Sequence, residues 1–382
     1  MKPSSATIIT TPGQRISQLL DDRGWTKRVL AVVLGIDEAS ISRIIADKKP
    51  LTPNLALGLE DVFGLPAESF LEVQAKYDIA VARLSTPADP TRASRAKLFG
   101  NFPVAEMIKR GWIHADSLKD TEQVEAELLR FFDAESSIEV EELPHAAKKT
   151  DALSHTSGAQ LAWVYRVKKI ASEMLVPKYN ELSGRRAIKE LSSLLRSKEE
   201  ARKVPRVLAE NGIRFLIVEA LPSTKIDGVC LWLNDHSPVV AMSMRFDRID
   251  NFWFVLRHEL EHVLRGDGKK WPILEVDLDG KSNSSDAAIE AMEQAANDAA
   301  AEFCVPRKQL EAFIARKAPF FADRDIQGFA TTLGVHPGLV AGRLQHQTGR
   351  YDRFRTYLEK VRHIVAPSSI VDGWGDFVPV DD

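Results

Sequence analysis

Asn251–Leu264 reads NFWFVLRHELEHVL, and the five residues His258-Glu259-Leu260-Glu261-His262 inside it decide the fold of the C-terminal half. In a helix, residues four apart share a face, so His258 and His262 can direct two imidazoles at one ion. Glu259 lies one step around, where a carboxylate can take a proton from water without ligating the ion. Phe252, Val255, Leu256, Leu260, Val263 and Leu264 give the helix a core-facing surface. Asp250 or Asn251 is expected to cap its start and Gly266 its end.

A zinc site needs a third protein ligand. Ser285–Pro306, SDAAIEAMEQAANDAAAEFCVP, is Ala-rich, with Ser285 or Asp286 as the expected cap and Pro306 as the stop. Glu290, Glu293 and Asn297 share one face at spacings of three and four. Glu293 is the expected third ligand and Glu290 the alternative. Asn297 is expected to hold a ligating histidine by hydrogen bond. Glu261 and Glu302 read as surface charges.

Upstream, Ile213–Val218, Gly228–Leu233 and Val239–Met244 read as short strands. Their short connections predict antiparallel neighbours, with the histidine helix on one face of the sheet. An open sheet edge beside the site could take an extended peptide by strand addition. The charge run Arg245–Asp250 reads as an ion-pair network fixing the start of the helix. His236, Arg245 and His336 are the candidate oxyanion stabilisers.

Together NFWFVLRHELEHVL, EQAANDAAAEFCVP and GIRFLIVEALPSTKIDGVCLWL resemble the ImmA/IrrE metallopeptidase family, and HPGLVAGRLQ (His336–Gln345) resembles that family's closing helical segment. The resemblance implies Zn2+ held by His258, His262 and Glu293, with Glu259 catalytic, and a repressor-like protein as substrate. The chain departs at Ala299, Cys304 and Val305, where the family carries larger packing residues.

The N-terminus holds a second motif. Gln14–Gly24 reads as an amphipathic helix with Ile16, Leu19 and Leu20 inward. Thr26 caps a second helix, Gly35 makes a turn, and Asp37 caps a third, with Ala31, Ile36, Ile41 and Ile44 spaced to pack the pair. TKRVLAVVLGIDEASISRIIADKKPLTPNLALGLEDVFG resembles the repressor-type helix-turn-helix family, more narrowly the HigA-type antitoxins. That resemblance places Glu38, Ala39, Ser40 and Arg43 in the major groove of double-stranded promoter DNA, where Arg43 can bond a guanine edge twice. Lys27, Arg28, Lys48 and Lys49 are the expected phosphate contacts. Val32 and Val33 stand where the family usually carries polar residues.

The net charge is −3 with mixed signs, so electrostatics alone name no partner. No apolar run approaches the length of a membrane span, and the N-terminus lacks a signal-peptide core. Cys230 and Cys304 are too few for a disulfide framework, so no membrane role and a cytoplasmic location are expected.

The expected fold is multidomain and mainly α. Residues 1–12 form a flexible N-terminus and 13–84 an all-α helix-turn-helix bundle. Residues 85–200 form a linker and helical connecting region, with breaks near Pro177 and Gly184. Residues 201–350 form an α+β zincin-like domain with a small, mostly antiparallel sheet, and 351–382 a C-terminal helix and tail. The tail is expected to be helical to about Val365 and irregular beyond, with Trp374 and Phe377 free to dock on the protein or a partner. His114, His145 and His155 lack partners at ligand spacing.

Two functions follow. One is a DNA-binding regulator with a zinc-dependent endopeptidase domain that cleaves a regulatory protein in a stress or toxin–antitoxin setting. The other is an antitoxin or autorepressor that binds promoter DNA and a toxin, its metallopeptidase fold acting as sensor or scaffold. A homodimer reading a palindromic site is expected for either.

Overall fold

The computed structural model describes residues 10–85, 92–136, 139–140, 143, 156–276 and 287–375, and the chain divides into Met1–Thr91 and Arg92–Asp382.

In the first unit, α1 (Pro12–Arg23), α2 (Lys27–Leu34), α3 (Glu38–Ile45), α4 (Pro53–Phe63) and α5 (Ala67–Ser85) form a bundle. Side-chain caps set the boundaries: Thr26 Oγ1 accepts from the Val29 amide, and Asp37 Oδ1 from the Ser40 amide. Between α2 and α3 the chain reverses at Gly35, whose φ of 67° needs a residue without Cβ strain. Ile16, Leu20, Leu30, Ala31, Ile41, Ile44, Leu59 and Phe70 make the core. Ile36, expected to pack α2 on α3, is 36% exposed because the chain is still turning there.

The second unit begins with α6 (Arg92–Asn101), α7 (Val104–Lys109), α8 (Thr121–Phe132), α9 (Gly158–Glu173), α10 (Glu181–Ser192) and α11 (Val204–Glu210). The strands β1 (Arg214–Val218), β2 (Ile226–Trp232) and β3 (Pro238–Met242) follow, then α12 (Ile249–Arg265), β4 (Ile273–Val276) and α13 (Ala287–Cys304). The unit closes with α14 (Arg307–Lys317), α15 (Asp323–Leu333), α16 (Pro337–Thr348), α17 (Arg362–Val365) and β5 (Ile370–Asp372).

The sheet order is β4-β2-β3-β1-β5. It is mixed rather than mostly antiparallel: β2 pairs antiparallel with β3 and β4, while β1 pairs parallel with β3 and β5. The cause is the β2–β3 hairpin, which places β3 rather than β2 beside β1.

Alternate strand residues enter opposite cores, as a two-residue side-chain period requires. Phe215, Ile217, Cys230, Val240 and Met242 face the core that holds α12. Leu216, Val218, Val229, Leu231, Val239 and Ala241 face a second core with Met107, Leu128, Phe132 and Trp163. The helical section before the sheet therefore packs on it. Trp163 Nε1 donates to Val218 O at 3.0 Å, and Arg110 donates to the carbonyls of Glu219 and Ala220.

Other expectations are corrected. Gly184 does not break a helix: it lies inside α10, where an added Cβ would sit 2.5 Å from Tyr179 Oη. The tail after Gly349 is helical only in short pieces. Beyond Val365, Ile370–Asp372 is a strand rather than irregular, because β1 offers an open parallel edge. Arg166 Nε donates to Asp372 at 2.5 Å, with both side chains buried, and fixes that strand. Trp374 docks on the protein itself, under the Arg362 guanidinium and with its amide donating to Glu219. His145, His155, Ser285, Asp286 and Phe377 lie outside the described residues.

Candidate metal centre

α12 starts at Ile249 without a side-chain cap. Neither Asp250 nor Asn251 fills that role, because the Asp250 carboxylate is taken bidentately by Arg248 at 3.0 and 2.5 Å. The Ile249 amide donates to Glu359 O instead. Asp247 accepts from the Val361 and Arg362 amides, and Arg245 forks Asp227 at 2.9 and 3.0 Å. The charge run thus fixes the start of the helix. Gly266, at φ 75°, ends it.

Along α12, His258, Glu259 and His262 have no exposed surface. The two Nε2 atoms face each other at 3.1 Å. α13 crosses α12 and brings Glu293, whose oxygens lie 3.4 Å from His258 Nε2 and 3.7 Å from His262 Nε2. Glu290, the alternative ligand, is exposed. Asn297, one turn after Glu293, places Oδ1 3.1 Å from His258 Nδ1. His262 Nδ1 lies 3.2 Å from Asp267 Oδ2. Each imidazole is therefore oriented through the nitrogen that faces away from the cluster, the usual support of metal-binding histidines.

Glu275 completes the group, with Oε1 3.4 Å from His258 Nε2. It sits on β4 directly across from Gly228 of β2, so both residues face α12. Gly228 is required there: an added Cβ would lie 2.4 Å from Glu259 Oε1. His258, His262, Glu275 and Glu293 offer ligand atoms all within 4.8 Å of one another.

The site fits a divalent cation. Carboxylates and imidazoles crowd a buried space, and both Glu259 oxygens are buried without a hydrogen-bond partner. Burial, with Glu275, Glu293 and Asp227 nearby, pushes the Glu259 carboxyl well above the usual range. Burial works against charge on His258, yet its bonds to Glu275 and Glu293 outweigh this and raise it. Burial alone would raise Glu275, and the His258 imidazole outweighs it and holds that carboxyl low. A bound cation would neutralise the carboxylates and occupy the space the two imidazoles and Glu293 share.

Sequence reasoning missed Glu275 and Asp267. Asp267 has a local signal, following the Gly266 cap five residues after His262. Glu275 has a weaker one: a single acid in the strand ILEV. Of the oxyanion candidates, Arg245 is held by Asp227. His336 caps α16 by accepting from the Gly338 amide and lies 3.3 Å from Glu359. His236 sits in the β2–β3 turn, its carbonyl accepting from the Tyr179 amide. None joins the cluster.

In the first unit, Lys27, Arg28, Glu38, Ala39, Arg43, Lys48 and Lys49 are exposed around α2 and α3. Ser40 is buried, its hydroxyl donating to Asp37 Oδ2 at 2.6 Å and accepting from Lys49 at 3.3 Å. Val32 and Val33 are 76% and 50% exposed.

Bundle and cluster define a class: a helix-turn-helix unit and a metallopeptidase-like unit in one chain. Residues 16–70 match the helix-turn-helix family, and residues 212–345 match the family described as IrrE N-terminal-like domain. The chain carries an N-terminal helix-turn-helix fused to an IrrE/ImmA-like peptidase domain. No curated protein matches it. Among the described residues, no helix is long and apolar enough to cross a membrane.

Proposed function

We propose that the chain is a DNA-binding regulator whose C-terminal unit is a zinc-dependent endopeptidase acting on a regulatory protein. One observation carries this reading: Glu259, with two buried and unpartnered oxygens, lies on the helix of His258 and His262 and beside Glu293. His258, His262 and Glu293 would hold Zn2+, which when bound polarises a carbonyl and makes water acidic. Glu259 takes a proton from water and returns it to the leaving amine. Asn297 and Asp267 hold the two imidazoles in orientation.

Arg43, Glu38 and Ala39 face the major groove in this reading, and Lys27, Arg28, Lys48 and Lys49 the phosphates. The buried Ser40 hydroxyl instead holds Lys49 and Asp37 in place. The regulator acts as a homodimer in the cytoplasm, in a stress or toxin–antitoxin setting, on a repressor-like substrate.

One observation favours a second reading, in which the peptidase fold is a sensor or scaffold and the partner is a toxin. Glu275 Oε1 lies 3.4 Å from His258 Nε2, a fourth side chain in a cluster where a hydrolytic zinc site keeps one position for water. The test is incubation of the zinc-loaded protein with products of neighbouring genes, with and without promoter DNA. A zinc-dependent cut that disappears in Glu259→Gln supports the peptidase. DNA binding and toxin capture without any cut support the scaffold.

A further inference from the structure

One helical turn from the cluster, a cavity of about 560 Å³ opens among α12, α13, α14 and α16. Its volume lies in the range of small-molecule sites, roughly 300–1,000 Å³. Phe254, Leu310, Ile314 and Leu339 give it apolar walls, and three arginines reach it. Two of them are engaged, Arg248 with Asp250 and Arg307 with Asp298 at 2.5 Å. Arg343 differs: its Nε is buried and has no hydrogen-bond partner. Asp298 and Glu302 lie near enough to favour its charge, yet neither takes Nε, and a carboxylate or phosphate oxygen is the group that matches that donor. Asn297 also lines the cavity while its Oδ1 meets His258 Nδ1. A ligand there would touch the residue that orients a cluster imidazole.

We propose that this cavity binds a small effector, an anionic head on a short apolar body, with Arg343 as its main contact, and that occupancy is transmitted to His258 through Asn297. The binding step stands by itself. The transmission step rests on reading the cluster as a metal site.

The experiment uses the full chain loaded with zinc, titrated by calorimetry with octanoate, its neutral analogue octanamide, and inorganic phosphate. Octanoate is expected to bind saturably and octanamide about tenfold more weakly or worse. Phosphate binding as tightly as octanoate would assign the head group to phosphate. Arg343→Gln should lose the anion by about tenfold or more. Gln347→Trp, which blocks the mouth without touching the arginine, should lose it too and serves if the first variant fails to fold. No saturable binding of either anion, or binding unchanged in both variants, overturns the proposal. Octanoate should also change the rate at which a chelator strips zinc from the wild type but not from Asn297→Ala. Binding with no such change overturns the coupling alone. A protein that holds no zinc yet binds octanoate through Arg343 sinks the metal reading and leaves the cavity assignment standing.

Discussion

Asn297 Oδ1 lies 3.1 Å from His258 Nδ1, so the helix that contributes Glu293 also holds an imidazole of the helix it crosses. The bond fixes which nitrogen of His258 faces the cluster. Replacing Asn297 with Ala leaves that ring free to rotate. Zinc affinity is expected to fall by about 10–100-fold, the usual effect of losing such a partner. Competition against a chromophoric chelator measures it, and an unchanged affinity would show that packing alone orients the ring.

Gly228 is the second lever on the site. Its missing side chain lets Glu259 lie against β2, where a Cβ would stand 2.4 Å from Oε1. In Gly228→Ala the carboxylate must move. Overpacking should cost about 1–3 kcal/mol of stability. Cleavage should drop by roughly 100-fold, since a shift of about 1 Å is enough for that. Zinc content should stay at one equivalent, since His258, His262 and Glu293 are untouched. Metal analysis beside a cleavage assay separates this from simple unfolding.

Glu275 bears on whether the site is open. It is delivered by a short edge strand rather than by either crossing helix. Glu275→Gln preserves its shape and removes its charge. With three ligands sufficient, the variant keeps zinc and cleaves faster than the wild type, because the residue no longer competes for the position beside His258. Loss of zinc in this variant would instead make Glu275 an obligatory ligand.

How much of this was legible in the sequence depends on the range of each interaction. His258, Glu259 and His262 are read from helical periodicity, which is local. Glu293 and Asn297 follow from a second periodic helix. The HTH boundaries follow from Thr26, Gly35 and Asp37, whose caps act within three residues. Glu275 could not be read, because its role depends on a pairing between β4 and β2, residues 45 or more apart in places. The packing of Met107, Leu128 and Trp163 on the sheet was equally hidden, since an amphipathic helix states that it has a core face but not which core. Ile370–Asp372 looked irregular because a three-residue strand has too few residues to show a period.

His336 gives a pH signature independent of the cluster. Burial lowers its basicity, outweighing the neighbouring Glu359 carboxylate. Below the unfolded value of about 6.5, the unfolded chain binds a proton that the folded chain refuses. Stability should therefore decline as pH falls through that value. His336→Asn keeps an N-cap acceptor for the Gly338 amide and removes the titrating group. Denaturant melts between about pH 5 and 7 should show a shallower decline for the variant. Equal slopes would place the acid sensitivity elsewhere.

The helix-turn-helix makes its own prediction. Arg43 is exposed on α3, and its hydrogen bonds to Ala39 O and Ser40 Oγ are long, 3.4 Å each, and easily left behind on binding DNA. A guanidinium that pairs with a guanine edge contributes about 1–3 kcal/mol of discrimination. Arg43→Ala should weaken the cognate promoter by that amount and leave random DNA nearly unaffected. Lys48→Ala should weaken both and reduce the salt dependence of binding by about one counterion. Ser40→Ala tests the internal role found for that hydroxyl: it frees Lys49 and Asp37 rather than a base contact, so any loss should be equal on cognate and random sequences. A promoter-shift titration at two salt concentrations resolves all three. A base-specific loss in Ser40→Ala would mean that the hydroxyl turns outward when DNA is bound.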